Sequence, residues 1–463
     1  MPAIVRQTMS RTLARDLLTD VQNSSNEYYI GIAKSDVFNE TDSVIDPVDC
    51  LREEREFRNN LQSIKKVEGS TMVAKRVNWS YGSIYAGWDD GVKSDIDENW
   101  TPFYVLTDPK EVYVCLEQGT MDDGTTKQSI VEPNFGLHAP ISDVTDPNDP
   151  MYGMRLHWKP FTTADGYVWK YLYSLTPERI YNFLSSNHFP VQESEESLAA
   201  GDAIEDLQFQ VKDNAVGGQI IRATVTSSGS GHSTAPQVIV HGDGTGAIAE
   251  SVINESGEIT KIRMTDYGLG YTHASFEIVG GTESGSAEPV VTSRNGLGYD
   301  PIDDLKTSSV MVNIKPDGTV TDTFIVQNTF RQMGLMKNPL QTDNTTPYTD
   351  VSAKVLPSMV LVNDSPFEKG GEIVGAQSGA RAYVDDNVGA EVFYHQNLST
   401  GFERFDVGEA VTQTGVVLTG QIDDINLKNV IDRFSGEVLY IENRARIRRD
   451  EEQKEDIKIV ITV

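Results

Sequence analysis

Asp165-Gly166-Tyr167-Val168-Trp169-Lys170-Tyr171-Leu172-Tyr173 carries an aromatic ring at every second position from Tyr167 to Tyr173. Side chains of a strand alternate between its faces, so this spacing predicts four rings on one face, a row that belongs in a core or an interface. The same period returns in Ile457, Ile459, Ile461 and Val463, which predicts a second strand tucked into a sheet. With 38 glycines and many short alternating runs, the chain is expected to be mainly β with a few short helices. Ser10 is expected to cap a helix with Leu13, Leu17, Leu18 and Val21 on one side. Pro47 is expected at the first position of a helix carrying Leu51, Phe57, Leu61 and Ile64, and Thr176-Pro177 opens a third with Ile180, Phe183 and Leu184.

Two internal repeats organise the rest. Thr226, Gly229, Gly231 and His232 recur as Thr265, Gly268, Gly270 and Tyr271, and Val240, Gly242 and Gly246 as Val279, Gly281 and Gly285; every pair differs by 39, as in 265 − 226. Glycine at such places predicts turns of positive φ between short strands, hence a duplicated small β unit over 213–296. Gly296-Leu297-Gly298-Tyr299 echoes the turn a third time. Further on, Phe367, Gly370, Gly371 and Glu372 are answered by Phe405, Gly408 and Glu409, and Ser378-Gly379-Ala380 by Thr419-Gly420, which predicts a second small β module. The first repeat is similar to glycine-rich repeats of several phage structural proteins.

Lys+Arg 39 against Asp+Glu 69 gives a formal charge of −30 over 463 residues. Such a surface repels phosphate and argues against nucleic acid as a partner. Cys50 and Cys115 are the only cysteines, lack metal or redox spacing, and are expected as free core thiols. Arg6, Arg11 and Arg15 interrupt any signal-peptide core, and no stretch approaches the roughly 20 apolar residues of a membrane span. Synthesis and assembly in a cytoplasm are expected.

The candidates for catalysis have plainer structural readings. His138, His157, His188, His232, His241, His273 and His395 show no zinc-helix spacing. No Gly-x-Ser-x-Gly elbow occurs, and Gly242-Asp243-Gly244-Thr245-Gly246 lacks the Lys and the helix of a phosphate loop. Asp143, Asp146 and Asp149 miss calcium-loop spacing and read as a turn with Pro147 and Pro150. The carboxylate pairs Asp122-Asp123 and Asp303-Asp304 are of a kind expected by chance in so acidic a chain. No cofactor, metal or enzymatic activity is expected. Trp79, Tyr81, Tyr85, Trp88, Trp100, Phe103 and Tyr104 suit a core, and alternatively a subunit interface or a sugar site.

Ser435-Gly436-Glu437-Val438-Leu439-Tyr440-Ile441-Glu442-Asn443-Arg444, followed by Gln453-Lys454-Glu455-Asp456-Ile457, resembles the C-terminus of the dimeric baseplate wedge subunit of T-even-like, contractile-tailed bacteriophages. The strand with Tyr167, Trp169 and Tyr171 resembles a second block of that family. Phe330-Arg331-Gln332-Met333 with Asn338-Pro339 resembles a third. The three blocks stand in the family's order and span roughly 20–200, 297–345 and 430–463. The resemblance implies a multilayered β-sandwich and a homodimer that docks other wedge proteins in the virion tail. On that basis 1–212, 297–350 and 427–463 are expected as the core, with 213–296 and 351–426 as inserted modules. Arg444, Arg446 and Arg448 are expected as a basic stripe on one strand face, either a solvated hairpin balanced by Asp450, Glu451 and Glu452 or a docking strip for an acidic neighbour. The alternative function is a carbohydrate-binding or polysaccharide-degrading tail protein.

Overall fold

The Val168–Ser174 strand is buried along almost its whole length. It lies in an antiparallel sheet ordered Tyr104–Leu106, Glu111–Glu117, Val168–Ser174 and Phe161–Thr162 in the computed structural model, which describes residues 6–34, 43–91, 100–121, 124–149, 151–192, 203–316, 328–427, 430–450 and 453–463. The chain is mainly β and divides into two compact units, one of residues 1–16, 71–311 and 460–463 and one of 17–70 and 312–459. The glycine-rich repeat belongs to the same compact unit as the aromatic strand.

In the first unit, Tyr167, Trp169 and Tyr171 share one cluster with Tyr85, Tyr113 and Phe161. Tyr167 stacks on Trp169 at 5.8 Å and Tyr113 meets Tyr171 edge-on at 5.6 Å. Tyr173 is not part of that cluster; its hydroxyl donates to the Pro190 carbonyl at 3.0 Å. The reason is a bulge, since Val112 pairs with Tyr173 but the next residue, Tyr113, pairs with Tyr171. One extra residue breaks the strict alternation that put all four rings together. Ile457–Thr462 enters a sheet ordered Ile457–Thr462, Ser309–Ile314, Gly69–Lys75 and His188–Pro190, with Ile457 and Ile459 buried and Val463 38% exposed.

The 39-residue repeat folds as two three-stranded copies that exchange partners. The first copy supplies Ile220–Ser227, Gln237–Gly242 and Thr245–Ile253, the second Ile259–Leu269, Ala274–Val279 and Ser286–Val291. Each copy's first strand pairs with the other copy's third, and the two middle strands pair with each other. The middle pairing is self-consistent: shifting Gln237↔Val279 by one repeat gives Phe276↔Val240, which is also observed. Gln237 additionally pairs with Glu250 in its own copy. Its equivalent would need residue 289, a proline without an N–H, and Ser286–Val291 pairs with Ile220–Ser227 alone. Gly229, Gly231 and Gly246 and their equivalents Gly268, Gly270 and Gly285 all have positive φ, as does Gly281, while its equivalent Gly242 ends the Gln237–Gly242 strand without one.

In the second unit, Ser352–Lys354, Leu61–Lys66, Tyr28–Ala33, Asn328–Lys337 and Glu437–Arg449 form a five-stranded sheet in that order. The 351–426 repeat closes a six-stranded barrel ordered Ser358–Leu361, Glu391–His395, Arg381–Val388, Glu372–Gly375, Ala410–Gln413 and Thr419–Asn426. Exchanging its first three strands for its last three reproduces the same ring of neighbours. Phe367 and Phe405, the repeated aromatics, both enter its core.

Two helix expectations change. The first helix is Gln7–Gln22, so Ser10 lies inside it, and Arg11 and Ala14 are its buried residues while Leu13 is exposed. Arg11 and Arg15 are drawn in by Asp303 and Asp300 at 2.7 and 2.5 Å. The second is Leu51–Asn60 with Cys50 at its N-cap, so Pro47 precedes it and Leu61 and Ile64 begin a strand. Helix Pro177–Phe183 forms as expected, its Arg179 N–H donating to the Thr176 hydroxyl at 3.3 Å. The Ala203–Asp213 helix, buried through Val211, was not foreseen.

Candidate functional site

Two of the blocks that carry the resemblance become neighbouring strands. Asn328–Lys337 pairs antiparallel with Glu437–Arg449, setting Gln332 against Asn443, Met333 against Glu442 and Leu335 against Tyr440. The Gln332 side-chain amide donates to Asn443 Oδ1 at 2.8 Å across the ladder. Phe330 and Arg331 are buried on the inner strand. Asn338 explains the Asn-Pro step: it adopts φ 49°, a left-handed conformation that asparagine tolerates, and its side chain accepts from the Glu27 N–H at 2.7 Å and donates to Asn26 at 3.1 Å. The Pro339 carbonyl accepts from the Tyr348 N–H at 2.9 Å.

The turn before the outer strand is held by a residue that sequence reading missed. Buried Arg58 donates to the carbonyls of Arg433, Ser435 and Gly436 at 2.9, 2.6 and 2.8 Å, while Glu54 receives its Nε at 2.9 Å. The Glu54/Arg58 spacing of four was the available signal. Gly436 has φ 66°, and a Cβ there would lie 2.5 Å from the Lys337 carbonyl, so glycine is required.

Along the outer strand, Tyr440, Glu442 and Arg444 sit two apart and are linked. The Tyr440 hydroxyl donates to Glu442 at 3.1 Å, and Arg444 Nε lies 2.7 Å from the other Glu442 oxygen. Burial, with the carboxylate beside it, pushes the Tyr440 phenol up to about 12. The ladder then slips: Phe330 pairs with Ile447 while Gln332 pairs with Asn443, leaving residues 444–446 bulged. The expected uniform stripe of Arg444, Arg446 and Arg448 is therefore interrupted. Arg446 and Arg448 are exposed, Arg448 pairing with Asp450 at 2.8 Å. Arg449, next to them in the chain, is buried against Glu455 at 2.5 Å, and burial raises the Glu455 pKa.

Among the described residues, Glu437–Arg449 ends its sheet, so one long side presents unpaired backbone groups. Thirteen residues make an edge of roughly 40 Å. A groove of about 490 Å3 runs beside it between residues 47–54 and 438–441, and Val48, Leu51 and Leu439 stand exposed there. Acid lies in the first half of the strand, at Glu437 and Glu442, and base in the second, at Arg444, Arg446 and Arg448. This arrangement suits strand addition by a partner.

Tyr167, Trp169 and Tyr171 lie in the other unit and are all fully buried, so they serve its core. There Asp165 fixes the approach to the strand. Burial opposes its charge, but the Thr163 hydroxyl and the Ile130 and Val131 N–H groups at 2.5, 2.8 and 3.0 Å hold its pKa below the usual range. Asp303 and Asp304 diverge, the first pairing with Arg11 and the second buried. Asp122 and Asp123 lie outside the described residues, as do Glu451 and Glu452. Asp146 and Asp149 accept from the N–H groups of Asn148 and Met151, each two residues on, as turn residues do. Cys50 is exposed, against expectation, because it begins a surface helix; Cys115 is buried, and burial pushes its thiol up. Of the aromatics from Trp79 to Tyr104, Tyr81 alone is exposed.

Among the described residues no three His, Cys, Asp or Glu side chains are grouped to hold a metal. His395 Nδ1 and Asp385 lie 2.6 Å apart, but both are 0% exposed, with Gln62 donating to Asp385 at 3.0 Å and Tyr383 stacked on the imidazole. This is a buried polar network, not an accessible base. The sequence matches no protein-family model and no curated protein.

Proposed function

We propose that this chain is a structural subunit of the baseplate wedge of a contractile phage tail, which homodimerises and docks neighbouring tail proteins. The observation that carries this reading is the joining of two family-like blocks, 330–339 and 435–444, into adjacent strands whose outer member is an open edge. Residues 111 positions apart, Gln332 and Asn443, are bonded there, so the two blocks belong to one structural unit.

The same edge accounts for self-association. Two copies laid antiparallel along Glu437–Arg449 oppose the acidic half of one to the basic half of the other, complete the unpaired backbone groups and cover Leu439. Such a dimer carries 2 × −30 = −60 formal charges, so added salt tightens it by screening over about 8 Å. The sugar-binding reading has less support, because most of its suggested aromatics are buried.

Immunogold labelling of tailed particles with antibody to this chain tests the proposal. Gold at the tail end plate is expected; gold on fibre tips favours receptor or glycan binding, and unlabelled, disrupted tails overturn it. Light scattering tests the edge separately: Arg444→Glu with Arg446→Glu is expected to shift dimer to monomer, and unchanged association would remove this strand from the interface.

A further inference from the structure

We propose that the groove between the Leu51–Asn60 helix and the 397–402 turn binds an acidic segment of another protein through one large apolar side chain and adjacent carboxylates. The groove encloses about 260 Å3, room for one such side chain. Leu398 and Phe402 line it and are 66% and 51% exposed. Two large apolar residues left in water on a built turn mark a surface that gains by being covered.

The turn is held in place from below. Asn397 Oδ1 accepts from the N–H groups of Ser399 and Thr400 at 2.9 and 3.1 Å, and the Asn397 N–H donates to the Thr400 hydroxyl at 2.8 Å. Asn397 and Thr400 are buried, while the apolar side chains between and beyond them point outward into the groove. A presentation already ordered in the free protein loses little entropy on binding.

Charge selects the occupant. Arg52 and Arg55, three apart on one helix face, line the groove in a chain of net charge −30. Of the helix's acids, Glu54 pairs with Arg58 and Glu53 accepts from Gln332, while Glu56, which also lines the groove, pairs with Lys34 at 3.6 Å and leaves the two arginines in excess. Neither Arg52 nor Arg55 forms an ion pair among the described residues. Guanidinium groups recognise carboxylates through paired hydrogen bonds, so the partner is acidic as well as apolar. A basic partner does not fit these two arginines, and the net charge of −30 disfavours a polyphosphate backbone.

Fluorescence anisotropy with a fluorescein-labelled octapeptide of alternating glutamate and leucine tests this on the full chain. Saturable binding is expected, weakening with salt. The glutamine-leucine counterpart should bind about tenfold less tightly, as should the variants Arg52→Glu/Arg55→Glu and Leu398→Ser/Phe402→Ser, in line with loss of a charge-assisted hydrogen bond or an apolar anchor. Equal binding of the two peptides overturns the proposal without recourse to any variant. Retention of binding by either folded variant, checked by circular dichroism, also overturns it. Self-association that these variants abolish, with no peptide bound, would make a second copy the occupant and likewise overturn it.

Discussion

The repeats over 220–291 and 358–426 are both built from two three-stranded copies related by exchange, yet one stays open and the other closes. In the barrel, twelve buried residues, among them Ile373, Val384 and Val411 at 0% exposure, fill a continuous core. The main core cluster of the glycine-rich repeat holds eight, and its Gln237–Gly242 strand has no buried residue. There, conformation takes over part of the work of packing. Tyr271 and its equivalent His232 are each buried, and their N–H groups donate to Gly218 and Gly257 of the opposite copies at 3.0 and 3.1 Å. Those two glycines are themselves 39 apart. Both modules turn on glycines of positive φ, but a Cβ at Gly370, Gly379, Gly408 or Gly415 of the barrel would meet nothing within 4 Å, whereas at Gly218, Gly229, Gly257 or Gly268 of the thin module it would strike backbone within 2.6 Å.

The comparison would break first in the cores. Ile373→Ala should cost about 3 kcal/mol in chemical denaturation, because the closed barrel cannot collapse around the cavity. Ile278→Ala, at the rim of the open module, should cost roughly half as much; equal losses would mean that the two cores are equally rigid. Next come the turns. Gly218→Ala and Gly257→Ala place a Cβ 2.5 and 2.6 Å from backbone carbonyl oxygens at φ 63° and 72°, and each should cost about 2 kcal/mol. Gly270→Ala, at φ 77° with open space around it, should cost only about 1 kcal/mol. Unequal effects at Gly218 and Gly257 would show that the two copies no longer share one design.

A smaller effect separates the glycine module from the aromatic core of its own unit. Burial pushes the Asp304 carboxyl up to about 8 and Lys170 down to about 8. The Gly298 N–H donates to Asp304 at 2.6 Å, and Lys170 donates to the Trp158 carbonyl at 2.6 Å. With its folded pKa raised, Asp304 contributes stability that is complete below the unfolded value of about 3.9 and lost as pH rises through 8. Asp304→Asn should flatten the fall in melting temperature between pH 5 and 8, by a few degrees at most. An unchanged slope in differential scanning fluorimetry would assign the pH dependence to other groups.

Much of this was legible locally. Tyr167, Trp169 and Tyr171 announced a buried strand, Thr176-Pro177 a helix start, and the 39-residue spacing a duplicated β unit with positive-φ turns. The candidate edge was legible only in part. Arg444, Arg446 and Arg448 read as an even stripe because a bulge has no signature in the strand that carries it, and the burial of Arg449 depends on Glu455 beyond the turn. The Glu54/Arg58 spacing pointed to an ion pair within the helix, but not to the Ser435 and Gly436 carbonyls that Arg58 grips across the fold.

By itself the sequence determined strand periodicity, the places where only glycine fits and the existence of two duplications, since each depends on φ, ψ and side-chain alternation within a few residues. Only the tertiary structure decided which strand pairs with which. A repeat has the same pattern whether its first strand pairs within its own copy or across to the other. The choice rests on which closure buries Ile220, Ile259 and Ile262 in one module and Ile373 and Val411 in the other, and on which edge, here Glu437–Arg449, is left over when the sheet is complete.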